Sequence, residues 1–165
     1  MTAKLSLSCF EHANTVNSKI GMIKVSDEML YLCLDMLSRE DYINDWLKTG
    51  HESWDAAEFL RLGNKNVEAL FFYCLAVEKY LKANWVFDNV VIQAPGIHEL
   101  QSLLSQTELS LQPALIDFMD TVNRWNLEGR YPDYRFKLHK IATENYMKDQ
   151  LSKLQELKKC LLERL

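Results

Sequence analysis

The stretch NVEALFFYCLAVEKYLKANWV, residues 66–86, decides the fold. Val67, Leu70, Cys74, Val77, Leu81 and Asn84 recur at intervals of three and four, so an α-helix carries them on one face. Phe71 and Leu75 add a second apolar face that turns charged at Glu78 and Lys82. A helix apolar on two sides must be covered on two sides, which predicts a central place in a helical bundle.

The flanking sequence supplies the rest of that bundle. Ser38 followed by Asp41 has the form of a capping box and opens a long pattern through Ile43, Leu47, Gly50, Trp54, Ala57 and Arg61. Gly50 costs a helix roughly 1 kcal/mol relative to alanine, so a bend or break is expected there. Leu62-Gly63-Asn64 is a stop signal. After the central helix, FDNVVIQAPGI (87–97) reads as a loop and His98 as the start of a short helix, HELQSLL. Pro113 suits the first turn of a helix carrying Leu115, Phe118, Met119 and Val122. The segment GRYPDY (129–134) interrupts that pattern, because glycine and proline both oppose helix continuation. Thr143 can cap a last helix with Met147, Leu151, Leu154 and Leu161 along one side. DEMLYLCLDML (27–37) is a further short helix candidate, while residues 1–26 show no period. The expectation is an all-α bundle of about five or six helices, with an irregular arm over 1–26 and a single domain over 27–165.

Composition narrows the class. The chain has 165 residues, 48% apolar and 25% charged, which is the globular norm and argues against disorder. Five glycines and three prolines leave little material for the turns of an all-β fold. No apolar run is long enough to span a membrane, and the first residues lack the apolar core of a signal peptide, so a cytoplasmic protein is expected. Cys9, Cys33, Cys74 and Cys160 lie far apart without metal-ligand spacing. Cys33, Cys74 and Cys160 sit in apolar runs and read as buried free thiols. The four histidines (12, 51, 98, 139) lack the pairing of a metal site, so no metal and no cofactor is expected. The net charge of −4 hides an asymmetry: Arg130 to Leu165 carries nine Lys/Arg against five Asp/Glu. That basic end fits either a polyanion-facing surface or an ordinary solvated helix face.

No phosphate-binding glycine loop, zinc-protease helix or serine-hydrolase elbow occurs. The chemistry concentrates in WNLEGRYPDYRFKLHK, residues 125–140. Asn126 and Arg130 share a helix face if the helix persists through Gly129. Arg130 and Arg135 offer always-charged planar donors suited to phosphate, and Tyr131 and Tyr134 can stack on bases. Asp133 either holds one of the arginines or caps the turn. The competing reading is an Arg–Asp clamp that, with the tyrosines, merely braces the turn. Glu78 and Lys82 are likewise either a helix ion pair worth a few tenths of a kcal/mol or the lining of an interhelical cleft. A capping or packing role fits His98 better than a catalytic one.

Taken in order, WDAAEFL (54–60), ALFFYCLAVEKYLKANWV (69–86), HELQSLL (98–104) and WNLEGRYPDY (125–134) resemble the blocks of the HEPN family. Ala76 to Ala83 matches its A-E-K-x-L-K-A-like segment, His98-Glu99-Leu100 its H-[DE]-L helix start, and Asn126 to Asp133 its N-x-x-A-R-Y-P-D segment, with Gly129 in place of alanine. The resemblance covers residues 42–162. It implies an antiparallel four-helix up-and-down bundle with additional short helices, usually a homodimer. It also implies an association with a minimal nucleotidyltransferase, often as a toxin–antitoxin module. Catalytic members of the family are metal-independent ribonucleases with an R-x(4–6)-H motif. Here Arg135 to His139 is too short a spacing and Arg130 to His139 too long, although Arg135 and His139 would be i, i+4 neighbours on a helix.

That mismatch favours binding over catalysis. The expected role is a module that binds a nucleotide, RNA or partner protein through Arg130, Tyr131, Asp133, Tyr134, Asn126, Glu78 and Lys82. A metal-independent endoribonuclease using Arg135 or Arg130 with His139, and a purely structural dimerisation protein, are the alternatives.

Overall fold

The computed structural model describes residues 38–131 and 137–165, which fall within one compact unit, Leu37–Leu165. Six helices follow in order: α1 (Arg39–Leu62), α2 (Asn66–Asp88), α3 (Leu100–Leu104), α4 (Pro113–Arg130), α5 (Lys137–Ile141) and α6 (Glu144–Leu162). No strand occurs among the described residues. The irregular arm expected over 1–26 and the helix expected over 27–37 lie outside the described residues.

Three of the four long helices start where their sequence provides a start; α2 begins after Lys65, which makes no capping side-chain bond. Ser38 and Asp41 form the expected capping box on α1. Pro113 occupies the first turn of α4, and the Thr143 hydroxyl accepts from the Tyr146 amide to cap α6. At the end of α1 the reversal is taken by Asn64, whose φ of 58° is left-handed, rather than by Gly63. The short α3 differs from expectation. His98 is not its cap; Glu99 is, and its carboxylate accepts from the amides of Gln101 and Ser102. Asn123 of α4 locks that cap by donating to Glu99 and accepting from the Leu100 amide.

The four long helices run up, down, up, down. Glu58 meets Tyr73 while Arg39 reaches the carbonyls of Val86 and Asn89, so α1 and α2 are antiparallel. Gly129 packs on Phe71, and α4 therefore runs against α2. Asn66 bonds the Ala142 carbonyl and Asn84 the Leu161 carbonyl, so α6 runs along α2. The central helix is buried as its two apolar faces require: Leu70, Tyr73, Cys74, Val77, Tyr80 and Leu81 are fully enclosed. Leu115, Met119 and Val122 of α4 and Leu154, Leu157 and Leu161 of α6 complete the core.

Gly50 corrects the expectation of a bend. α1 is continuous through it, and a Cβ there would stand 2.7 Å from Cε1 of Tyr80. The glycine permits close approach of α1 and α2, and the propensity loss is accepted for that contact. Cys74 is buried as expected, Cys160 is only half-buried, and Cys9 and Cys33 lie outside the described residues. No described helix is long and apolar enough to cross a membrane.

Candidate functional site: the α2–α4 face

Persistence of α4 through Gly129 decides how residues 125–131 are arranged. The helix ends at Arg130, with Tyr131 as its C-terminal cap residue. A Cβ on residue 129 would lie 3.0 Å from that of Phe71, so the missing side chain again allows two helices to close together. Asn126 and Arg130 thus fall on one face, one turn apart, against α2.

Arg130 is held rather than loose. Its guanidinium donates to the Asn126 side-chain oxygen and, at 3.3 Å, to the Asn126 main-chain carbonyl. It also sits 5.9 Å from the Phe71 ring centroid. Asn126 is buried, whereas Arg130 is exposed, so an anchored amide aims an accessible cation. The positive group also offsets the negative end of the α4 dipole. Tyr131 beside it is 71% exposed and Leu127 is 63% exposed.

One turn along α2 from Phe71 lies Cys74, near Asn126 of α4. Burial pushes the Cys74 thiol up to about 12; the Glu78 charge adds to the rise, while Asn126 and Arg130 oppose it. A further turn along stand Glu78 and Lys82, paired at 2.9 Å with both side chains 7% exposed. The same Glu78 oxygen accepts from His98 Nδ1 at 3.0 Å, and the other oxygen is buried with no hydrogen-bond partner among the described residues. Lys82 lies 5.0 Å above the Trp46 ring of α1. An exposed i, i+4 pair contributes a few tenths of a kcal/mol; this one is buried, so its energetics differ in kind.

The sequence-predicted residues therefore divide. Asn126 and Arg130 are joined and Tyr131 stands exposed at their side, whereas Glu78 and Lys82 pair with each other further along α2, against His98 and Trp46 of α1. Asp133, Tyr134 and Arg135 lie outside the described residues, and so does the expected neighbourhood of Arg135 with His139. His139 itself is exposed on the short α5. Sequence reasoning missed the contact of His98 with Glu78, which bridges twenty positions, and that of Trp46 with Lys82. Neither leaves a local periodic signal, since both depend on helix packing.

Chemically, the face offers an accessible planar cation backed by a buried amide, with an exposed aromatic next to it. No cluster of three or more His, Cys, Asp or Glu suited to a metal occurs among the described residues. No curated protein and no solved structure matches the chain significantly. The HEPN domain family model matches residues 43–165, three quarters of the length, and includes every helix from most of α1 onward. The chain belongs to the HEPN domain family.

Proposed function

We propose that the protein is a helical binding module that takes the phosphate of a nucleotide or RNA at the Arg130 corner. The observation that carries this reading is the tether of Arg130 to the buried Asn126, which leaves the guanidinium both fixed and exposed. A fixed guanidinium loses less rotamer freedom on binding and offers two parallel donors to a phosphate. Tyr131 lies where a base attached to that phosphate can stack. Because the corner stands at the negative end of a helix dipole, an anion there depends on Arg130 for its attraction. Glu78 and Lys82 are buried and paired with each other, away from this corner.

Leu127 and Tyr131 also supply exposed apolar surface at this corner for a protein partner. A second copy of the chain and a nucleotidyltransferase-fold protein, in a toxin–antitoxin-like pair, are the partners that fit the family resemblance. Titration calorimetry of the full chain with nucleotides and short RNAs tests the phosphate reading. Binding that weakens at least tenfold in Arg130→Ala supports it. Binding to none of them, or equal binding by Arg130→Ala, refutes it.

A further inference from the structure

The other side of α4 carries a groove that the Arg130 corner does not use. Residues 121, 124, 125 and 128 follow helical spacing and face away from Asn126 and Arg130, toward α5 and the start of α6. The groove between these elements has a volume of about 460 Å³. Pockets that hold drug-sized ligands run from roughly 300 to 1,000 Å³.

Its chemistry is uneven in an informative way. Among the described residues lining it, Arg124 comes from α4 and Lys140 from α5, with one carboxylate, Glu128. No ion pair among the described residues neutralises Arg124 or Lys140; Arg124 donates only to the Thr121 hydroxyl one turn back, at 3.1 Å. The floor is apolar, made by Trp125 and Leu138, and Ile141 remains 50% exposed beside it. Tyr146 closes the far side, its oxygen accepting from the Trp125 indole N–H at 3.2 Å. Accepting that bond leaves the phenolic proton of Tyr146 to donate elsewhere.

We propose that this groove is a second, separate binding site for a small anion bearing a flat apolar ring, in the size class of a nucleoside monophosphate. The anionic group meets Arg124 and Lys140 at the rim. The ring lies over Ile141 and the Trp125 floor, with the Tyr146 hydroxyl as a directional donor. Cations alone would favour any anion and an apolar floor any ring; the pairing selects a molecule with both.

Titration calorimetry at low salt with adenosine monophosphate, inorganic phosphate and adenosine as probes tests this on the full chain. The monophosphate is expected to bind at least tenfold more tightly than either of its two parts. Lys140→Glu is expected to weaken it about tenfold or more, through inversion of one charge at an exposed position that does not threaten folding. Lys148→Glu, an equal charge change outside the groove, controls for overall charge and leaves the affinity within twofold. Equal binding of adenosine alone, or of phosphate alone, overturns the proposal. So does monophosphate binding that survives Lys140→Glu but disappears in Arg130→Ala. That last result would place the ligand at the Arg130 corner and leave the proposed function standing.

Discussion

Replacing Lys82 with methionine gives a direct measure of the buried charge pair on α2. Lys82 and Glu78 are 2.9 Å apart and each side chain is 7% exposed, so neither charge has water to fall back on. Lys82→Met fills similar volume but leaves Glu78 buried, with His98 at 3.0 Å and one oxygen with no hydrogen-bond partner among the described residues. Removing one member of a buried pair costs about 3–5 kcal/mol. The lower end applies here, because His98 still faces the carboxylate; but that imidazole is 66% exposed and its attraction is screened by solvent. A loss of about 3 kcal/mol in a chain of this size lowers Tm by roughly 6–12 °C. The double variant Lys82→Met/Glu78→Leu removes both charges and is expected to recover most of that loss, since apolar replacement of a whole buried pair is often neutral or better. Urea unfolding of the wild type, both single variants and the double variant gives the coupling energy from their midpoints, provided the transitions remain two-state. A Lys82→Met variant within about 1 kcal/mol of wild type would refute the reasoning. A double variant as unstable as the two single changes added together would refute it equally, because the charges would then act independently.

Three further outcomes follow from the packing. Gly50→Ala should destabilise by about 1 kcal/mol, since a clash cost of about 1–3 kcal/mol outweighs about 1 kcal/mol of helix propensity; a melting temperature above wild type would show that Tyr80 can withdraw. Glu58 is raised by burial, but bonds from Tyr73 and Arg61 outweigh this and hold its carboxyl below the usual 4.5. A depressed carboxyl stabilises above its unfolded pKa and loses that contribution as pH falls through the folded value, so Glu58→Gln should flatten the acid limb of stability below about pH 5; an unchanged limb in urea melts would contradict it. With its thiol pushed up to about 12 and its side chain enclosed, Cys74 should resist iodoacetamide at pH 8 until the chain is denatured. Peptide mapping that finds Cys74 alkylated as fast in the native state would show the α2–α4 face to be open.

The elements legible in the sequence are those whose cause is local. Ser38 and Asp41 cap α1 within four residues, Pro113 sets the first turn of α4, and the stripe from Val67 to Asn84 fixes which side of α2 is buried. Gly50 was opaque for the opposite reason. Its helix propensity argues for a break, while the fact that overrides it is the Tyr80 ring, thirty positions away on another helix. Gly129 repeats the lesson beneath Phe71. These two glycines do for the site what periodicity cannot predict. One lets α1 close on α2, bringing Trp46 over Lys82; the other lets α4 close on α2, bringing Asn126 to Cys74 and leaving Arg130 tethered at the rim. Close helix approach is thus what turns a dispersed set of polar residues into one face. It follows that a larger residue at 129 should loosen Arg130 without touching it. A Gly129→Val variant that kept both its fold and full affinity at the Arg130 corner would separate the site from the packing held responsible for it.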